Sequence, residues 1–485
     1  MPGWVSTSSA VHGAQRDALV VPGGLGGPAA SGVAAAARGP FEVYVHVPFC
    51  MRRCGYCDFN TYTAPDLGEG ASRGNYARMA VREMKLVRAW QVANGIEEPA
   101  ACSVFFGGGT PTILPAADLV AMLDAVRRIW GIEPDAEITT EANPDTVDAD
   151  YIKRLADGGF TRISFGMQSA VPHVLATLDR RHTPANVEAG LRAADACGLR
   201  SSVDLIYGAP GESLEDWRTS VRTAIDLGVH HVSAYALTIA PHTKMGRMIA
   251  DGALSQPSDD DEAAKYEIAD EAFADAGLHW YEISNWARPG YESRHNLGYW
   301  RNVDWAGIGP GAHSHYRLDG EAAGVASSSL ESGAGDNPKS KDLGADDAVA
   351  RHDDAGFRKT AAAAPGTSSI SVAAGSVGLR AWDIAHPRAW AHAINAGTVP
   401  WGGCEGITAQ EDREETLMLG LRLREGFDTS RFAGIIPDEA WVSLQSEGLI
   451  TLAPGPRAGQ GCIAVPTLRG RLLNDLIIEH LFDYL

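Results

Sequence analysis

From residue 41 to about residue 240, short apolar runs alternate with longer stretches whose apolar positions recur every three or four residues. The runs FEVYVHV (41–47), CSVFFGG (102–108), AEITTEA (136–142), RISFGMQ (162–168), SVDLIYG (202–208) and HVSAYALTI (231–239) predict β-strands. Between them, residues 76–90, 118–130, 148–159, 186–198 and 214–228 carry the amphipathic period of helices. Strand and helix in strict succession predict an α/β fold. Right-handed crossovers would roll about six such units into a partial (β/α)6 barrel, with the loops that follow the strands gathered on one face. Loops on such a face add functional side chains without disturbing the packed layers beneath.

Beyond the barrel the pattern changes. Residues 241–318 predict a barrel extension, with a helix over DEAAKYEIADEAFADAG followed by an aromatic-rich stretch. Residues 319–376 are dominated by Ala, Gly, Ser and Asp, too poor in large apolar groups to offset the entropy of ordering, and predict a disordered insertion. Residues 377–485 return to helical pattern in EDREETLMLGLRL, DEAWVSLQSEG and the closing LRGRLLNDLIIEHLFDYL. With a turn at APGPRAGQG, they predict a mostly helical, winged-helix-like unit. Residues 1–40 are broken by Gly and Pro where a signal peptide needs a continuous apolar core, and predict a flexible leader.

Composition narrows the functional classes. A formal net charge of -20 over 485 residues, without a basic run, argues against a nucleic-acid or anionic-membrane surface. No window approaches the length of a transmembrane span, and 7 cysteines without regular pairing do not form a disulfide framework. The expected location is a reducing cytoplasm.

Three of those cysteines fall within eight residues, as Cys50, Cys54 and Cys57 in CMRRCGYCDF, just after the first strand. Soft thiolates at C-x3-C-x2-C spacing fit an iron-sulfur cluster or zinc. A structural zinc site takes four ligands, and no second C-x2-C is present to complete one. His46 is available only from within the strand. On spacing alone a zinc knuckle and three unconnected thiols stay open, while three thiolates on a four-iron cube would leave one iron free for an exchangeable ligand.

The cysteine motif at this point of a β/α barrel, with an aromatic residue at position 56, resembles the radical S-adenosylmethionine (SAM) superfamily. The resemblance implies a 4Fe-4S cluster on Cys50, Cys54 and Cys57, with the amino and carboxylate groups of SAM on the open iron. It places Gly108, Gly109 and Thr110 of FFGGGTPT in the loop that receives the SAM amino group. Tyr44, Tyr56, Glu141, Gln168, Arg180 and Asp204 match polar SAM-contact positions of the coproporphyrinogen-oxidase-like branch. Cap, turn and ion-pair roles are the ordinary alternatives for each of these residues taken singly.

Two members of that branch compete. The oxygen-independent coproporphyrinogen III dehydrogenases, radical enzymes of porphyrin biosynthesis, continue the motif to a fourth cysteine where this chain has Phe59. YCDFNTYT instead resembles the HemW-type haem chaperones. So does HNLGYW (295–300), of the form H-N-x-x-Y-W, which the resemblance marks for haem with His295 as axial ligand. The same four side chains equally fit local backbone bonding and seam filling between barrel and C-terminal unit. Haem delivery is the expected function, without dehydrogenase activity. The expected partners are haem and unidentified haem-acceptor proteins, with a homodimer admissible. Ala240, His242 and Ser293 depart from the usual family text.

Overall fold

The computed structural model describes residues 38–68, 70–318, 375–455 and 461–485. The expected leader and insertion therefore lie, but for a few residues at their edges, outside the described residues.

All six expected strands form: β1 Phe41–Val47, β2 Ala101–Gly108, β3 Ile132–Ala142, β4 Arg162–Gln168, β5 Arg200–Tyr207 and β6 His231–Ala236. They pair in parallel and in chain order. The crossover helices are α1 Arg73–Ala93, α2 Ala116–Ile129, α3 Ala149–Asp157, the short α4 Pro172–Thr177 with α5 Pro184–Ala196, and α6 Leu214–Asp226. Local chemistry starts them: Ser213 and Asp216 close a reciprocal capping box on α6, and Pro184 occupies the first turn of α5, where its missing N–H costs nothing.

Strand alternation separates two environments. Ile138, Ile163, Phe165, Val203, Leu205 and Val232 belong to the principal hydrophobic core. Their neighbours Thr139, Ser164, Ser202, Asp204 and Ser233 line an internal cavity. The barrel interior is thus polar, unlike the packed apolar centre of a closed eight-stranded barrel.

The sheet extends further than the sequence pattern predicts. After α7 Lys244–Ala250 and α8 Asp259–Asp275, β7 His279–Glu282 and β8 Asn285–Ala287 add antiparallel strands beyond β6. The chain then crosses by α9 Arg294–Trp300 to the opposite side, where β9 Asp304–Ile308 lies parallel to β1. Antiparallel β10 His313–Arg317, β11 Gly378–Asp383 and β12 Trp401–Ile407 follow, giving a 12-stranded sheet among the described residues whose two end strands leave it open. Strands such as Trp401–Ile407, WGGCEGI, carry glycine and charge in place of an apolar run, so pairing rather than local pattern makes them strands.

The C-terminal region is mainly helical: α10 Pro387–Asn395, α11 Ala409–Gly420, α12 Asp438–Ser446, α13 Leu468–Leu472 and α14 Asn474–Phe482. A small antiparallel sheet of β13 Phe427–Asp428, β14 Ile450–Pro454 and β15 Cys462–Pro466 accompanies them, and residues from 417 to 481 form a core of their own. The expected single closing helix is split at Leu473. Buried Asn474 donates to the Leu421 carbonyl at 3.0 Å, and Arg471 grips Asp270 with two bonds of 2.8 and 2.6 Å, so tertiary partners outbid helical continuity.

Candidate functional site

The loop after β1 is knitted to the loop after β2. Gly109 N donates to Val47 O at 2.8 Å and Thr110 N to Phe49 O at 2.8 Å. A Cβ at Gly109 would stand 2.6 Å from Phe49 O, so only glycine admits this approach. Gly108 has φ +107° and lies against the His46 ring. Cys50 N bonds Tyr62 O at 3.0 Å, and the Arg73 guanidinium donates to Cys50 O at 2.7 Å and Thr63 O at 3.0 Å, which fixes the backbone of the cysteine loop.

Each of the three cysteines is free and has its own polar neighbour. Thr110 Oγ1 donates to Cys50 Sγ at 3.6 Å, Arg180 Nη1 to Cys54 Sγ at 3.7 Å, and Cys57 Sγ lies 4.0 Å from Thr61 Oγ1. Burial pushes the Cys50 thiol up to about 11 and raises that of Cys57, so both hold their protons at neutral pH until a metal displaces them. Among the described residues no three His, Cys, Asp or Glu side chains converge as the ligands of one metal ion. Irons of a cluster each take their own thiolate, so this soft, spread donor set fits a sulfide-bridged cluster. His46 is no fourth ligand as it stands: Nδ1 bonds the Tyr44 hydroxyl and Nε2 the Asn60 carbonyl, both at 3.0 Å.

The other expected positions gather in groups at the same barrel end. Gly108 N donates to Glu141 Oε2 at 3.1 Å, and burial pushes the Glu141 carboxyl up to about 7. Arg180 Nη2 donates to Gly166 O at 2.8 Å and to Asn143 Oδ1, and Gly166 leaves room for the Gln168 amide, whose residue has φ 63°. Asp204 accepts from Ser164 Oγ at 3.0 Å, which in turn accepts from Ser202 at 2.8 Å; burial raises the Asp204 carboxyl. Glu141 and Asp204 both face the internal cavity that Phe105, Arg162 and Tyr235 also line. Tyr44 lies against Phe105, with ring centroids 6.3 Å apart. Tyr56 is buried in a separate apolar cluster with Val174, Leu178 and Leu237, against which Cys54 packs.

His295 stands apart from this rim. It is 1% exposed, with Nδ1 2.6 Å from Ser103 Oγ and Nε2 3.2 Å from the Tyr299 hydroxyl. Asn296 faces the cavity from below, and Trp300 packs with Leu419 and Leu423 of the C-terminal region. Both ring nitrogens of His295 are thus engaged by neighbouring hydroxyls. Asn143, Ser164 and Phe105 were not singled out from the sequence, although the alternation of β2 and β4 and their register with β1 and β3 place Phe105 and Ser164 on the same faces as Tyr44 and Glu141.

The fold and the cysteine loop define a radical SAM barrel protein, and residues 44–224 match the family model for the radical SAM superfamily. A haem chaperone HemW of Mycobacterium tuberculosis is 36% identical over 443 residues, 91% of this chain and 95% of the relative. The HemW of Escherichia coli K12 is 37% identical over 275 residues, covering 56% of this chain and 70% of that protein. This chain belongs to the HemW haem chaperone family. Among solved structures, the coproporphyrinogen III oxidase HemN of E. coli, described as a radical SAM enzyme, superposes with a TM-score of 0.67 over 93% of this chain and 92% of that one, at 18% identity, which speaks to fold alone.

Proposed function

We propose that this protein is a haem chaperone that carries a 4Fe-4S cluster on Cys50, Cys54 and Cys57, holds SAM beside it, and passes haem to acceptor proteins in the cytoplasm. The observation that carries the reading is the near full-length similarity to the HemW of M. tuberculosis. Phe59 at the position of the dehydrogenases' fourth cysteine supports it against a decarboxylase. Among the described residues no helix is long and apolar enough to cross a membrane.

When bound, the cluster supplies an open iron for the amino and carboxylate groups of SAM and a store for one electron. The chain's own residues do the rest. Gly108, Gly109 and Thr110 bring backbone close to the ligand, and the Glu141 carboxylate beside them would accept a hydrogen bond from its amino group. Asp204, held by Ser164, faces the cavity as an acceptor for ribose hydroxyls. Tyr44 packs on Phe105, which lines the cavity, and Tyr56 lies in the apolar cluster against which Cys54 packs, while Arg180 supplies a donor to Cys54 and the Gln168 amide lies beside Gly166.

Anaerobic reconstitution with iron and sulfide counting, haem titration followed at the Soret band, and a coproporphyrinogen III decarboxylation assay test the reading together. Four irons and four sulfides per chain are expected on cubane chemistry, with haem uptake and no decarboxylation. Turnover of coproporphyrinogen III, or a preparation that takes up zinc in place of the cluster, overturns the proposal.

A further inference from the structure

We propose, resting on the reading that the protein binds haem, that a small pocket around Asn302, Arg301 and Arg317 receives a carboxylate, and that this carboxylate is a propionate of haem.

The pocket lies where α9 ends and β9 begins, lined by residues 301–304, Arg317, Gly39 and Pro40. Phe41 at the start of β1 pairs with Asp304 at the start of β9. The pocket therefore sits at the barrel end opposite the cysteine loop, which follows the end of β1.

The backbone of Asn302 has an ordinary role. Its φ of 49° turns the chain after α9, with Asn302 N on Tyr299 O and Val303 N on Gly298 O, both at 3.0 Å, the left-handed helix end at which Gly and Asn are common. The side chain is surplus to that turn, which glycine would make equally well. It is 1% exposed, yet neither the oxygen nor the nitrogen of its amide has a hydrogen-bond partner. A buried amide left unpaired costs stability, so this one is a hydrogen-bonding group held ready for a ligand at the pocket it lines.

The surrounding charges favour an oxyanion. Arg317 Nη2 donates to the Asn302 carbonyl at 3.2 Å, which brings its guanidinium to the pocket wall. Arg301 lines the pocket too, and its exposed pair with Glu425, Nε to Oε1 at 2.9 Å, leaves other N–H donors on the same fork. Asp304, the acid of the lining, is already compensated: Oδ1 accepts from Arg317 N at 3.1 Å and lies 3.3 Å from His315 Nδ1, while Oδ2 is 3.8 Å from Arg38 Nη1. The cavity measures about 20 Å³, above the roughly 10–15 Å³ that one water needs on the same measure. It admits the end of a carboxylate and excludes a macrocycle, which would stay outside against exposed Pro40 and half-buried Val303. Haem carries its carboxylates on flexible arms that allow this, whereas the carboxylate of SAM belongs at the opposite barrel end.

The test uses the full-length chain, anaerobically reconstituted and titrated with haem and with haem dimethyl ester, whose propionates are blocked, followed at the Soret band. The parent should bind haem about tenfold more tightly than the ester, the scale of one charge-assisted hydrogen bond. Asn302→Gly keeps the turn and removes the amide. It should bind the ester as the parent does, with the parental Soret maximum, and haem several-fold more weakly. Asn302→Asp, equally suited to the turn, sets a like charge against the propionate and should favour the ester. Arg317→Gln, on β10, should narrow the gap between the two ligands as Asn302→Gly does. Equal affinity of the parent for haem and its ester, or the parental preference for haem kept in all three variants, overturns the proposal and leaves the pocket to water. A parent chain that binds neither ligand overturns the haem reading beneath it.

Discussion

The Arg180 guanidinium reaches Cys54 Sγ at 3.7 Å with one nitrogen while the other bonds Gly166 O at 2.8 Å. One side chain thus ties the cysteine loop to the end of β4. Arg180→Lys keeps the charge but loses the fork that serves both partners. Iron content should remain parental while SAM affinity falls roughly tenfold or more, the loss expected for a charge-assisted hydrogen bond; calorimetry on the reconstituted variant checks this.

Glu141 predicts a pH dependence. Its carboxyl titrates at about 7 because burial disfavours the charge, and the ionised form is the stronger acceptor for the N–H of the ligand's amino group. SAM binding should tighten as pH rises through this range. Glu141→Gln should bind more weakly and with a flat profile above neutrality, whereas a profile that keeps its slope in the variant removes Glu141 as the cause. Cluster content should be the same in both.

A second buried carboxyl acts on stability. Glu83 accepts from Gly309 N at 2.8 Å and Trp390 Nε1 at 3.0 Å, joining α1 to the segments before β10 and within α10, and burial raises its pKa to about 7 beside the Asp383 carboxyl, raised for the same cause. The folded state therefore retains protons that an unfolded carboxyl, near about 4.3, has already released. Stability should fall as pH rises from the unfolded value through about 7, and Glu83→Gln should flatten that decline in denaturant titrations.

Arg471 joins the C-terminal region to α8. It pairs with both oxygens of Asp270, bonds the Tyr266 hydroxyl at 2.9 Å and lies 4.3 Å over the Trp280 ring. Truncation leaves Asp270 partly buried without its cation, so Arg471→Ala should cost about 3 kcal/mol in chemical denaturation. Arg471→Met, which restores apolar contact, should recover only part of the loss.

Gly109→Ala probes the seam between the two loops. Its Cβ would meet Phe49 O at 2.6 Å and Val47 O at 2.9 Å, backbone atoms that cannot turn aside. The cysteine loop should be displaced, with a loss of about 2 kcal/mol in stability and reduced iron uptake on reconstitution.

Much of this protein was legible before folding is considered. The periods of β1 to β6 and their helices are local facts of side-chain order, because alternation of two or recurrence of three to four is what one-sided burial requires. The cysteine loop is local too, since its three thiols lie within eight residues and need only a turn to present them. β9 to β12 left little trace, because glycine and polar residues interrupt their apolar positions and their identity comes from neighbours distant in the chain.

The chain's order of residues alone therefore determined the barrel units and the three thiols that follow the first strand. Only the tertiary structure decided that the barrel lining is polar, that α9 lies beneath it, and that His295 faces Phe105 and Tyr44 with both nitrogens engaged. A motif states which side chains are present, while partners 192 residues apart, such as Ser103 and His295, meet only once the sheet has closed the distance between them.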